Sequence, residues 1–373
     1  MSHPLIAAAR AVRPVVEAHA DQAEIDRQLP QPAVDALAEA GLMRMFVPAD
    51  YGGPGADPVT VVEAVAAVSA ADGSAGWCTM IATTTSSMAA FLAPQYAAEI
   101  YADPLVVTGG TFAPNGRAEP VEGGHVVSGR WQWGSGTTHC QWIVGGALAT
   151  DGTVRMMFAP ASEVELIDTW HTAGLRGTGS GDFRFDGVFV PEGRSVTPFA
   201  PCPHVDGPLG RMPTFTLLAS GVAAVTLGIA RRALDELVAL AQAKTPQFSS
   251  RTLAVSPLAQ LDVARAEGAL GGARSYLVDE LGRTWETILR GDDVDVVQRA
   301  RGRGAAGHAA ADAARAVDLA YHAAGGSAVF TSSPLQRCFR DVHTATQHVM
   351  VQQRALEAAG KVLLGVDADT SML

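Results

Sequence analysis

Apolar residues recur at helical spacing through the first hundred positions: Leu5, Ala9, Val12 and Val16 share one face, as do Val34, Leu37, Ala38 and Leu42. Pro30 and Pro32 punctuate the first two helices, the turn-rich loop Asp50-Tyr51-Gly52-Gly53-Pro54-Gly55 follows, and Val59, Val62, Ala66 and Ser69 mark a third. Asp72-Gly73-Ser74 breaks the chain before a fourth helical run from Ala75 to about Ala93. Between about Val106 and Pro198 the pattern changes. Residues 125–128, 142–144, 154–158 and 183–185 are short β-type runs separated by glycine or acidic turns. With no helices between them, they predict an antiparallel barrel or sandwich in place of a βαβ sheet. After the proline-rich stretch from Pro198 to Pro213, helical periodicity returns in four alanine-rich segments, about 215–243, 257–290, 293–324 and 334–364. Helices of ~28 residues reach ~40 Å, and four of them suit an antiparallel bundle. The expectation is a mainly α, α+β chain: an N-terminal helical domain over 1–104, a central β domain over 105–205 and a C-terminal four-helix bundle over 206–373.

Composition narrows the function classes. The chain has 373 residues, 48% of them hydrophobic and 17% charged, which predicts a globular protein of two or three folding units. A net charge of −11 opposes both nucleic acid and an anionic membrane surface, which need clustered Lys and Arg. The four cysteines Cys78, Cys140, Cys202 and Cys338 show neither C-x-x-C nor zinc-site spacing, so reduced thiols in a cytoplasmic protein and no metal are expected. The N-terminus lacks the apolar segment and cleavage site of a secretory signal. The most apolar stretch, Phe215 to Ala230, is too short and too rich in Thr, Ser and Gly for a membrane span and reads as a buried helix.

Candidate chemistry lies in four places. Gly174-Leu175-Arg176-Gly177-Thr178-Gly179-Ser180-Gly181 lacks the third glycine of G-x-G-x-x-G, has Asp182 there and runs into a strand, so it reads as a structural loop and not a dinucleotide site. His343 and His348 are five residues apart, about 140° around a helix, and do not form an i, i+4 metal pair. Ser128-Gly129-Arg130-Trp131-Gln132-Trp133-Gly134-Ser135-Gly136, with Trp142 beyond, offers an aromatic face and a small hydroxyl, or else tryptophans that fill a β core. Asp72-Gly73-Ser74-Ala75-Gly76-Trp77, with Met80 and Thr84 after it, lies on the fourth helical run, and Trp77 faces either substrate or core.

These residues, the order of elements, Val188-Phe189-Val190-Pro191 and the run from Arg340 to Val349 resemble the acyl-CoA dehydrogenase fold over nearly the whole chain. In dehydrogenases of that fold a carboxylate near the position of Val349 removes a substrate proton, which a valine cannot do. The resemblance instead is to the two-component (group D) flavin-dependent monooxygenases of this superfamily, where His348 falls on an active-site histidine. It implies reduced flavin, FMN or FAD, delivered by a separate NAD(P)H:flavin reductase. It also implies O2 activation through a C4a-hydroperoxyflavin, with hydroxylation or N- or S-oxidation of a small aromatic or heteroatom-containing substrate. By the same resemblance Trp133 stacks on the flavin, Ser135 bonds its N5, and Phe112, Ala113 and Gly136 line it. Arg251 and Gln260 hold its phosphate end, although an exposed salt-bridging arginine is an equal reading of Arg251. Trp77, Met80 and Thr84 wall the substrate pocket, and His348 with Ser135 carries the chemistry. A homotetramer is implied as well. The rival readings are an FAD-linked acyl-CoA dehydrogenase drawing its base from Asp341 or Glu357, and a non-catalytic flavin-fold binding subunit.

Overall fold

The structure, a computed structural model, describes residues 3–197 and 204–373. Met1, Ser2 and Cys202 lie outside the described residues, as does the stretch 198–203 that begins the proline-rich segment. Six helices come first: α1 (Pro4–Ala11), α2 (Arg13–Asp26), α3 (Gln31–Glu39), α4 (Pro58–Ser69), α5 (Gly73–Ser86) and α6 (Pro94–Ile100). Proline sits in the first turn of α1, α2, α3 and α6, where its missing N–H has no helical partner to lose. The fourth helical run ends as α5 at Ser86, and Ser87–Phe91 tightens into a 3-10 turn.

Seven strands follow: β1 (Thr108–Val121), β2 (Gly124–Trp131), β3 (Trp142–Ala149), β4 (Val154–Pro160), β5 (Glu165–Ile167), β6 (Asp182–Pro191) and β7 (Ser195–Val196). They form one sheet in the order β5-β6-β2-β1-β3-β4-β7. The pairing departs from an all-antiparallel arrangement, because β1 and β3 run parallel from Thr108↔Trp142 to Ala118↔Ala149. The reason lies in the connection. β2 returns antiparallel along one side of β1, and residues 132–141 then carry the chain past the start of β1 to its other side. The β1 register also shifts between Thr111 and Gly116, and its glycines and prolines hide the alternation that would have announced this strand.

Trp131, at the end of β2, is wholly buried. Its ring stacks on Phe183 at 5.1 Å and leans on Phe185 at 4.8 Å, and its Nε1 donates to the carbonyls of Ala113 and Gly146. A Cβ on Gly116 or Gly145 would come within 2.4 or 2.7 Å of that ring, so glycine there is what admits the indole. A second apolar cluster joins the sheet to the preceding helices through Met88, Leu92, Ile100, Val144, Met156 and Phe158.

The C-terminal section contains α7 (Thr214–Ala243), α8 (Pro257–Leu289), α9 (Val296–Ala324), α10 (Pro334–Ala345) and α11 (Gln353–Leu363). Three of the four expected long helices form at nearly the expected positions. The fourth is two short helices, with turns over 346–352 between them. Within the break, the buried Arg303 on α9 donates from Nη1 to the carbonyl of Met350 at 2.7 Å. α7 is apolar enough by length and composition to cross a membrane, but 78% of its most apolar window is buried within the protein, as expected of a core helix.

Compactness divides the chain into two units, one of Met1–Ala64, Trp77–Thr172 and Arg176–Thr214, the other of Val65–Gly76, Ala173–Leu175 and Phe215–Leu373.

Candidate active site

In the first unit the loop after β2 carries the strongest candidate chemistry. Trp133 is 67% exposed and adopts φ 64°, a left-handed conformation that a bulky residue rarely takes. Three backbone bonds hold the loop in that shape: Gly134 N to Gly181 O at 2.8 Å, Ser135 N to Trp133 O at 2.9 Å and Gly136 N to Thr178 O at 2.8 Å. Gly136 has φ 71°, and a Cβ there would meet the His139 ring at 3.0 Å, so glycine satisfies both the dihedral and the contact.

Ser135 is buried in a chain of polar groups. The indole Nε1 of Trp77 on α5 donates to Ser135 Oγ at 3.0 Å. Ser135 Oγ lies 2.7 Å from Ser180 Oγ, which lies 2.6 Å from Thr178 Oγ1. Trp77, Ser135, Thr178 and Ser180 are all nearly inaccessible to solvent. Met80 and Thr84 are buried too, and the Thr84 hydroxyl donates to the carbonyl of Met80 within α5. Phe112 is half-buried against the apolar cluster, and Ala113 is exposed at the irregular part of β1.

His139 closes the same loop. Burial holds its pKa down at about 4, and its Nδ1 is buried without a hydrogen-bond partner among the described residues. Burial also pushes the neighbouring Cys140 thiol up to about 12, which keeps it protonated and unreactive. An exposed aromatic face two residues from a buried hydroxyl fits a flat heteroaromatic group such as isoalloxazine.

In the second unit His348 lies in the turn between α10 and α11, not on a bundle helix as expected. Its Nδ1 accepts from the Met350 N–H at 3.3 Å, which assigns the ring proton to Nε2. Desolvation, and then the charge of Arg303, depress its pKa to about 4, so the ring is neutral near pH 7 although it keeps some solvent contact. Arg303 itself is 2% exposed and donates to the carbonyls of Met350, Met372 and Phe215. His343 pairs with Asp318 at 2.8 Å.

The two carboxylates that a dehydrogenase would need are otherwise engaged. Asp341 is buried and accepts the Leu175 N–H at 2.6 Å, and Glu357 is exposed and paired with Lys361 at 2.8 Å. Val349 is 52% exposed. Arg251 and Gln260 are exposed, with the Gln260 amide donating to Ala254 O at 3.0 Å. Sequence reasoning missed Thr178, Ser180, His139 and Arg303. The first two had a signal, since they are the hydroxyls set between the glycines of the 174–181 loop.

Comparison with known proteins places the chain in a family. Residues 6–95 match the N-terminal domain of acyl-CoA dehydrogenases and residues 220–353 the C-terminal domain. The chain is 35% identical to an indole-3-acetate monooxygenase of Pseudomonas putida over 92% of this chain and 89% of the relative. It is 32% identical to a pigment production hydroxylase of Rhodococcus erythropolis over 88% of each. The solved structure of a 3-HSA hydroxylase from Rhodococcus sp. RHA1 superposes with a TM-score of 0.93 at 28% identity over all of both chains. XiaF from Streptomyces sp., determined with FADH2 and glycerol, gives a TM-score of 0.89 at 25% identity over 97% of this chain and 95% of that one. The chain belongs to the acyl-CoA dehydrogenase superfamily, within its two-component flavin-dependent monooxygenases.

Proposed function

We propose that this protein is the oxygenase that takes reduced flavin, FMN or FAD, from a separate reductase and inserts one atom of O2 into a small aromatic substrate of the indole or phenol type. The relative named for indole-3-acetate, and an FADH2-dependent resorcinol hydroxylase of Rhizobium sp. that is 28% identical to the chain, support that substrate class. The observation that carries the oxygenase reading against a dehydrogenase is the state of the carboxylates. Asp341 is spent on a backbone amide and Glu357 on a lysine, and the resemblance puts the base near Val349, which has no proton acceptor.

Bound reduced flavin would supply the electrons that activate oxygen. The protein's part is to hold and shield it. Trp133 offers its exposed ring for stacking, and Ser135 presents Oγ to N5, with Gly136, Phe112 and Ala113 beside them. His348, neutral with its proton on Nε2, acts as a hydrogen-bond donor toward substrate or oxygen and not as a cation. Trp77, Met80 and Thr84 wall the substrate pocket, and Arg251 and Gln260 hold the flavin's phosphate end. The chain assembles as a homotetramer in the cytoplasm, and the three described cysteines, all free thiols, suit that reducing compartment.

The test is a single turnover. Protein loaded anaerobically with reduced flavin is mixed with an indole or phenol and 18O2, and the product is weighed by mass spectrometry. One labelled oxygen in the product supports the reading. Flavin bleaching by an acyl-CoA, with no labelled product from any aromatic, overturns it.

A further inference from the structure

Ser135 has one hydroxyl proton and two acceptor lone pairs. Trp77 Nε1 is a donor only and occupies one lone pair. What remains, one proton and one lone pair, is divided between Ser180 Oγ at 2.7 Å and the ligand. Whatever Ser135 offers one neighbour, it must offer the opposite to the other. Ser180 can follow either way, because its hydroxyl has Thr178 Oγ1 at 2.6 Å behind it.

We propose that Trp77, Ser180 and Thr178 are positioning residues that let Ser135 reverse its hydrogen bond with the redox state of the flavin, and that Ser180 is what makes the reduced state acceptable. The inference rests on the reading of Ser135 as the N5 contact. Reduced isoalloxazine carries hydrogen on N5, so Ser135 must accept there and send its own proton to Ser180, which passes its proton to Thr178. Oxidised isoalloxazine has a bare N5, so Ser135 donates to it and accepts from Ser180. Without Ser180 the oxidised arrangement stays complete, since Ser135 still donates to N5 and accepts from Trp77. The reduced arrangement then leaves the Ser135 proton buried and unpaired, a penalty that falls on one redox state alone.

The test is equilibrium binding of oxidised and anaerobically reduced flavin to the full chain, together with the midpoint potential of the bound flavin. Ser180→Ala should weaken reduced flavin about tenfold or more relative to oxidised. The midpoint should fall by about 30 mV for each factor of ten in that ratio. Thr178→Val, near-isosteric, should shift the ratio the same way by less, and Ser180→Thr should restore it. Ser135→Ala is the control for the underlying reading. If it leaves both affinities and the potential unchanged, Ser135 does not contact flavin and that reading fails. If it changes them while Ser180→Ala and Thr178→Val leave the ratio untouched, Ser135 keeps its role and the relay is refuted.

Discussion

At position 133 a tryptophan holds a backbone conformation that costs on the order of 1–3 kcal/mol, which a chain retains only where the surroundings over-determine it. Three backbone bonds supply that constraint, while most of the ring stays in solvent. Trp133→Ala should therefore change folding stability by no more than about 0.5 kcal/mol. It should weaken flavin binding roughly five- to tenfold through loss of the aromatic contact. Denaturant titration beside flavin binding checks both, and a large loss of stability would mean the indole packs instead of waiting for a ligand. Two half-buried histidines make a second prediction at this scale. His139 and His348 have folded pKa values near 4, below the ordinary 6.5, so the unfolded chain binds protons first as pH falls. Their contribution to stability is complete above about pH 6.5 and is lost as pH drops toward 4, by at most roughly 3 kcal/mol each. Thermal melts across that window should show the loss, and replacing both by Gln should flatten it. For the same reason, the effect of His348→Ala on product yield should not vary between pH 6 and 8.

At the scale of elements, the break between α10 and α11 is where the helical pattern misleads. Nothing in residues 334–364 forbids a continuous helix. Arg303, reaching from α9, bonds the Met350 carbonyl and those of Met372 and Phe215, so three separate segments meet on one buried guanidinium. Arg303→Leu should cost about 2–4 kcal/mol by leaving those carbonyls unpaired. It should also speed amide exchange across 346–352, and it removes one of the two influences that depress the His348 pKa, which should rise in an NMR titration. Unchanged exchange in that turn would show that its sequence alone sets the break.

For the whole molecule, large apolar side chains remain outside: Leu258 at 73%, Phe330 at 65%, and Leu261, Leu289 and Leu364 as well. Leu258 and Leu261 lie about one turn apart at the start of α8, and an exposed apolar pair of that kind on a long helix fits a surface that another copy covers. Light scattering at micromolar concentration should report four chains, and Leu258→Asp with Leu261→Asp should lower the mass. A wild-type monomer would refute the tetramer.

The order of elements was written in periodicity, because helices and strands bury their apolar faces at 3.6 and 2 residues per turn wherever the chain later goes. The same local logic picked out the Trp133 and Ser135 loop, whose glycines, aromatics and hydroxyl are neighbours in sequence. Beyond that, long-range pairing decided. The parallel β1–β3 ladder depends on which side of β1 the chain crosses to, and the glycine-rich β1 has no alternation to show. Trp77, Ser135 and Ser180 are 58 and 45 positions apart in successive steps, so their hydrogen bonds leave no periodic trace. His348 was a candidate by its place in the chain, but its neutrality could not be read there. That is set by the solvent its surroundings exclude and by the charge of Arg303, and neither exists before the chain folds.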